Sequence, residues 1–182
     1  MKIRKPGLPE AFIDQLRIAS GKNHSTKILT DPADCWAYGY DNSRGQGLPA
    51  AVALPESTDE VAAIMAACAE HRVPVGPRGR GTGTTGAAIP PPGGLALSLE
   101  RMNRILRVDA DNRVAVVEAG VINQDLQECL QPDGFFWPPD PTSAAFSTVG
   151  GNLACNAAGP RTLKYGTPRD NTLGLTAVTA QG

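Results

Sequence analysis

The segment Pro77–Gly86, PRGRGTGTTG, constrains this chain most. It follows a short apolar run and leads within a few residues into three consecutive prolines, Pro90, Pro91 and Pro92. Gly79, Gly81, Gly83 and Gly86 carry no Cβ, so the backbone there can take positive φ and turn its amides towards an anion. A pyrophosphate suits such a loop. Gly81, Gly83 and Gly86 also spell GxGxxG, and Glu100 stands at about the distance expected of a ribose-binding acid. That pattern, however, needs its last glycine to open a helix whose N-terminus faces the phosphates, and Ala87, Ala88 and Ile89 run straight into proline. A Walker A loop is excluded too, because Gly81 to Gly86 has the GxxxxG spacing but is followed by alanines in place of Lys and Ser or Thr. Two readings stay open on the loop alone: an ordinary connection between strands, or a phosphate cradle of a third kind.

The 182 residues, 41% hydrophobic and 19% charged, suffice for a domain with a real core. A net charge of -1 gives no electrostatic reason to expect nucleic acid or an anionic membrane as partner, which leaves small ligands and proteins. MKIRKPGLPEAF has no apolar signal core, and no apolar run reaches the ~18 residues of a membrane span, so a cytoplasmic location is expected. Cys35, Cys68, Cys129 and Cys155 are widely spaced and lack neighbouring histidines, a pattern of reduced thiols with no metal site.

Residues 1–48 read as an N-terminal extension with short helices, and 49–182 as the main domain. Phe12, Ile13, Leu16 and Ala19 share one face of a helix begun by Pro9. Trp36, Tyr38 and Tyr40 are expected to pack the extension onto the domain. Ala51–Leu54 reads as a strand, and Ser57 with Glu60 forms a capping box for a helix carrying Val61, Ile64, Met65 and Cys68 on one face. Val73–Val75 reads as the next strand, completing a βαβ unit. Leu95, Leu97 and Leu99 alternate as in a half-buried strand, and RVAVVEA, Arg113–Ala119, suits another, with Asn112 in the turn before it. Val121–Leu130 and Ser147–Ala158 read as helices, and Leu173–Ala180 alternates like a strand.

Six collinear segments, VALPESTDEVAAIMAAC (52–68), PRGRGTGTTG (77–86), LSLERMNRI (97–105), WPPDPTS (137–143), STVGGNLACNAAG (147–159) and LKYG (163–166), together resemble the FAD-binding domain of the vanillyl-alcohol oxidase and para-cresol methylhydroxylase flavoprotein family. Within it the likeness is to the branch of the FAD-linked glycolate oxidase subunit and the D-lactate dehydrogenases. The resemblance implies an α+β, two-lobed FAD-binding domain whose C-terminal part is missing here. It implies that Arg78, Gly79, Arg80, Gly81, Thr82, Gly83 and Thr84 hold the FAD pyrophosphate. Pro141, Thr142, Ser147, Thr148, Gly150 and Gly151 would form a second wall beside the ribityl chain and ring, with Asn152, Asn156, Tyr165 and Gly166 as ring-side contacts. The flavin itself accepts the hydride equivalent, and the reaction implied is oxidation of a 2-hydroxy acid to a 2-oxo acid.

Two positions depart from the family's pattern: Arg80, where relatives carry a small residue and where pairing with the pyrophosphate is favoured, and Pro160 after Gly159. Members of the family that attach flavin covalently use His, Tyr or Cys. Here His71 reads as a helix-end residue, His24 as a solvated loop residue and Cys155 as a small buried thiol, so non-covalent FAD is expected. Trp137 reads as a rigid loop anchor, and Arg161 and Lys164 as solvated surface charge. No cluster of bases suited to abstracting a substrate proton is seen, so no catalytic residue is assigned, and the chain is expected to be either a fragment or a subunit whose site another subunit or chain completes. The alternative is a truncated domain that keeps the fold without binding FAD and serves as an interaction module.

Overall fold

A computed structural model describes residues 8–19 and 26–182. Residues up to Ser98, joined by Ala177–Gly182, form one compact unit, and Leu99–Thr176 form a second.

The first unit is built on a four-stranded sheet in the order β1-β2-β4-β3, where β1 is Lys27–Leu29, β2 Ala51–Leu54, β3 Val75–Arg78 and β4 Leu95–Ser98. β1 runs antiparallel to β2, and β4 lies parallel between β2 and β3, with Ala51 and Val75 both opposite Leu95. The strand-helix-strand unit expected from the sequence is present, with α3 (Thr58–His71) between β2 and β3, and the later strand β4 slots between them. Val52, Leu54 and Ala96 join Cys35 in a buried cluster, backed by Leu29, Tyr38 and Leu48. Strand side chains alternate between faces, so Ala51, Ala53, Leu95 and Leu97 belong to the other face, and they are buried as well. β4 is therefore covered on both sides, which corrects the half-buried expectation: a parallel central strand has no solvent face.

α3 starts where the sequence signals it, with Ser57 accepting from the Glu60 amide at 3.2 Å. The reciprocal half differs from the expected capping box, because Glu60 Oε2 accepts from the Glu56 amide at 2.7 Å and from Thr26 Oγ1 at 2.6 Å. At the other end Arg72 turns left-handed at φ 55, and the Val73 amide donates back to Cys68 O at 2.9 Å. Val73 is thus taken up in closing the helix, which is why β3 begins at Val75 and runs on to Arg78. α1 (Glu10–Ala19) buries Phe12 and Leu16, with Phe12 edge-on to His71 at 5.5 Å. Of the three aromatics expected to pack, Tyr38 does so, while Trp36 and Tyr40 are half exposed. Trp36 ends the short helix α2 (Pro32–Trp36), whose inward position is taken by Cys35.

The second unit pairs β5 (Ile105–Asp109) with β6 (Val114–Val117) in an antiparallel hairpin. β6 and its turn were expected, with Asn112 bonded to Asp109; β5, broken by the charged Arg107 and a register shift, gave no clear alternation. Val121, Leu126, Leu130 and Val149 form its core, so α4 (Asn123–Leu130) and α5 (Val149–Cys155) pack through their apolar faces. α6 (Thr162–Tyr165) is a single turn. Leu173–Ala180 is not a strand. Its leucines are exposed, Leu173 at 85% and Leu175 at 71%, and no described strand runs beside it, so alternation without a partner strand leaves it irregular.

Candidate functional site

The glycine loop leaves the carboxyl end of β3, the end of a parallel sheet where ligands collect. No helix follows it; the chain turns through Gly86–Ile89 and the prolines back to β4. The prolines lie against β3, where a Cβ at Gly76 would stand 3.0 Å from Pro91 Cδ and 3.2 Å from Pro90 Cα, a tight fit that favours glycine at that strand position. Gly81 sits at φ 68, and a Cβ there would collide with the Arg78 guanidinium. Nothing lies within 4 Å of a Cβ built at Gly83, so this side of the loop is open.

The loop is held by its carbonyls. Asn42 donates its amide to Gly83 O at 2.9 Å and its side-chain Nδ2 to Thr82 O at 3.4 Å. Among the described residues, none of the backbone amides of Gly81, Thr82, Gly83 and Thr84 donates a hydrogen bond within the chain. Successive amides without partners, beside carbonyls that are tied back, form a cradle suited to an anion. Arg78 is the last residue of β3, and its buried side chain donates Nη1 to Tyr38 O at 2.6 Å and to Tyr40 O at 3.3 Å, over the Tyr38 ring at 5.5 Å. The guanidinium is turned into the unit. Gly79 and Thr82 are half-buried, and Arg80 and Thr84 are exposed. Burial pushes the Asp41 carboxyl up, but the Ser43 hydroxyl and amide, with the amides of Ala88 and Gly86, outweigh it and hold it below its usual range.

In the second unit, the segment 141–166 presents a different surface. The amides of Ser147, Val149, Gly150, Gly151 and Asn152 all have partners, respectively Ser143 O, Val121 O, Ala119 O, Thr148 Oγ1 and Thr148 O. Those five positions therefore offer side chains and close backbone approach, with their amides already committed. Ser147 and Thr148 are buried, Pro141, Gly150 and Gly151 are half-buried, and Thr142 is exposed. Asn152 is buried and committed: its Nδ2 donates to Ser147 Oγ at 3.1 Å, and its Oδ1 accepts from Asn123 Nδ2 at 3.0 Å. Asn123 also donates to Pro139 O at 3.0 Å, tying α4 to the WPPDPTS loop. Sequence reading missed Asn123, although a polar residue between the apolar Ile122 and Leu126 at a helix start was a signal. Asn156 closes α5 at φ 48 and accepts from the Arg169 amide at 3.2 Å. Tyr165 is part exposed and stacks edge-on with Phe136 at 5.2 Å, and Gly166 follows at φ 83.

Trp137 is anchored as expected, its backbone paired in both directions with the Gln127 amide group. Cys155 is exposed, which corrects the buried-thiol reading: α5 turns its inward face through Val149 and Asn152, and Cys155 falls on the other side. Burial pushes Cys68 up to about 11, an inert thiol. His71 Nε2 donates to Gln15 Oε1 at 2.6 Å; His24 lies outside the described residues. Arg161 is paired with Asp140 at 3.0 Å and stacked on Phe136, so it is not the solvated charge expected, and Lys164 lies over the Tyr165 ring.

An amide-lined loop at the carboxyl end of a parallel strand, with prolines where a nucleotide-binding helix would stand, defines a phosphate-cofactor module outside the Rossmann class. The chain belongs to the FAD binding domain family, which it matches over residues 49–182, and FAD is the cofactor of this domain. It is 46% identical over 146 residues to the glycolate oxidase subunit GlcD of Bacillus subtilis (strain 168), covering 80% of this chain and 31% of that protein. It is 41% identical over 138 residues to the D-lactate dehydrogenase of Anaerostipes hadrus, covering 76% of this chain and 29% of the relative. A solved structure of p-cresol methylhydroxylase superposes with a TM-score of 0.67 at 21% identity, over 83% of this chain and 31% of that one. The vanillyl-alcohol oxidase type of fold inferred from the sequence is thereby established, as is kinship with flavin oxidoreductases. The chain spans about a third of the length of these curated relatives.

Proposed function

We propose that the chain is the FAD-binding portion of an oxidoreductase that oxidises a 2-hydroxy acid of the glycolate or D-lactate type to the 2-oxo acid. The observation that carries the cofactor assignment is the run of uncommitted amides from Gly81 to Thr84, matched to the charge of a pyrophosphate. In this reading Gly79–Thr84 take the pyrophosphate through backbone amides and the Thr82 and Thr84 hydroxyls, with Arg80 as a charge at the loop surface. Arg78 acts through its grip on Tyr38 and Tyr40. Pro141, Thr142, Ser147, Thr148, Gly150 and Gly151 line the ribityl side, with Tyr165, Gly166 and Asn156 towards the ring and Asn152 holding Ser147 in place.

Bound FAD would supply the two-electron acceptor. The domain is expected to hold it without a covalent bond: His71 is engaged by Gln15, and the exposed Cys155 lies on the face of α5 opposite the core. The support for a 2-hydroxy acid is the pair of relatives named for glycolate and D-lactate. Purified protein is expected to carry flavin absorbance or to take up FAD on titration, releasing it intact on denaturation. Protein that stays colourless in excess FAD would refute the cofactor role and leave the interaction-module alternative. Glycolate and D-lactate are expected to go unoxidised by this chain alone, since the one described histidine is already engaged; turnover with an artificial electron acceptor would overturn that. Completion of the site by further polypeptide belongs to the same proposal.

Gly81→Val tests the loop directly. A β-branched residue at φ 68 with a Cβ against the Arg78 guanidinium costs about 1–3 kcal/mol of local strain. FAD binding should be lost while unfolding stays cooperative, and unchanged affinity by flavin fluorescence titration would disprove the assignment.

A further inference from the structure

The segment Tyr38–Ser43 precedes the matched FAD domain, yet it carries most of the contacts that shape the glycine loop. Asn42 grips the loop through two donors, its backbone amide to Gly83 O and its Nδ2 to Thr82 O. Arg78, the strand residue that leads into the loop, anchors the same segment through Tyr38 O and Tyr40 O. Asp41, buried at 5% exposure, accepts the Ser43 amide at 2.8 Å and fixes the turn that presents Asn42. The amide of Gly47 closes the far side on Gly39 O at 2.8 Å. Every one of these bonds engages a carbonyl or the strap itself, and none of them uses an amide of Gly81–Thr84.

We propose that Tyr38–Ser43 is a strap belonging to the cofactor site, in which Asn42 is a positioning residue that ties back the Thr82 and Gly83 carbonyls so that the neighbouring amides are presented to the FAD pyrophosphate. The inference rests on the reading of the loop as the pyrophosphate cradle. An anion beside a peptide carbonyl is repelled and beside an amide attracted, so fixing the carbonyls selects the loop conformer with the higher affinity for the anion. Because coupling is reciprocal, bound FAD must in turn tighten the strap.

Arg44 offers a reporter. It is exposed at φ 70, next to the strap, and the Arg44–Gly45 bond is a trypsin site. The experiment measures FAD affinity by flavin fluorescence, the unfolding midpoint without FAD, and the rate of cleavage at Arg44 with and without saturating FAD, for the whole chain and for Asn42→Ala and Arg78→Met. Asn42 is exposed, so Asn42→Ala should leave the FAD-free midpoint within about 2 °C of the parent. It should weaken FAD by about three- to tenfold, the worth of one hydrogen bond. Arg78→Met should weaken FAD more than about tenfold if it folds, and FAD should slow cleavage at Arg44 in the parent. A parent that binds FAD while Asn42→Ala matches its affinity, or while cleavage at Arg44 ignores FAD, overturns the strap and leaves the cofactor reading standing. A parent that binds no FAD overturns both.

Discussion

Glu118 shows how much one side chain holds in the second unit. Its carboxylate accepts from the Arg104 backbone amide at 2.8 Å, from Nε at 3.0 Å and from Nη2 at 2.6 Å, while itself 9% exposed. The side-chain hydrogen bond from Arg104 is the largest influence and holds the carboxyl below its usual range, against the cost of burial. A carboxylate depressed in the folded state contributes stability that is complete above its unfolded pKa and is lost as pH falls through the folded value. The acid limb of the stability curve should therefore steepen below pH ~4. Glu118→Gln should flatten it and cost about 1–3 kcal/mol at neutral pH, towards the low end because Arg104 is exposed. Urea unfolding across pH checks both. A Glu118→Gln protein with an unchanged acid limb would show that other carboxylates govern it.

Among the elements, α3 is the one whose ends are most fully specified. Ser57→Ala removes the cap on Glu60 N and should cost about 1 kcal/mol in chemical denaturation. α3 was legible because its signals are local: a cap residue, a 3.6-residue period and a stop. The positive φ of Gly81 and Gly86 and the lack of a helix after them were legible for the same reason, since φ preference and proline geometry are properties of single residues. What stayed hidden depends on partners distant in sequence. β1 is three residues long and owes its existence to β2. Val73 reads as a strand residue because nothing near it in sequence shows that its amide closes α3. Leu173–Ala180 has the alternation of a strand and no neighbour. Asn152 read as a ring contact because its motif gave its neighbourhood, while its two hydrogen bonds to Ser147 and Asn123 follow from tertiary packing. Asn42 had no sequence signal at all, since its role is defined by carbonyls forty residues on.

For the whole molecule the cofactor is a thermodynamic term as well as a chemical one. With free FAD at about a hundred times its dissociation constant, mass action alone adds about 2.7 kcal/mol to the folded state. For a chain of this size that raises the unfolding midpoint by roughly 5–10 °C. Scanning calorimetry over a series of FAD concentrations should show a midpoint that climbs logarithmically; a flat series would mean that the folded chain has no preference for FAD over its unfolded form.

The position of β4 between β2 and β3 has a consequence for how such a domain is made and how it can change. β3 and β4 are parallel neighbours, so the chain has to travel from the end of one back to the start of the other, and Gly79–Gly94 is that journey. The usual vehicle is a helix; here it is a glycine cradle followed by a proline return. The sheet cannot close until this stretch has found its path, and its two residue types pull the search in opposite directions, glycine enlarging the unfolded ensemble and proline shrinking it. A lineage that ceased to need the cofactor could dull the cradle by substitution, but deleting it would leave β4 without a route to its place. The strand order demands the connection whether or not it holds a cofactor.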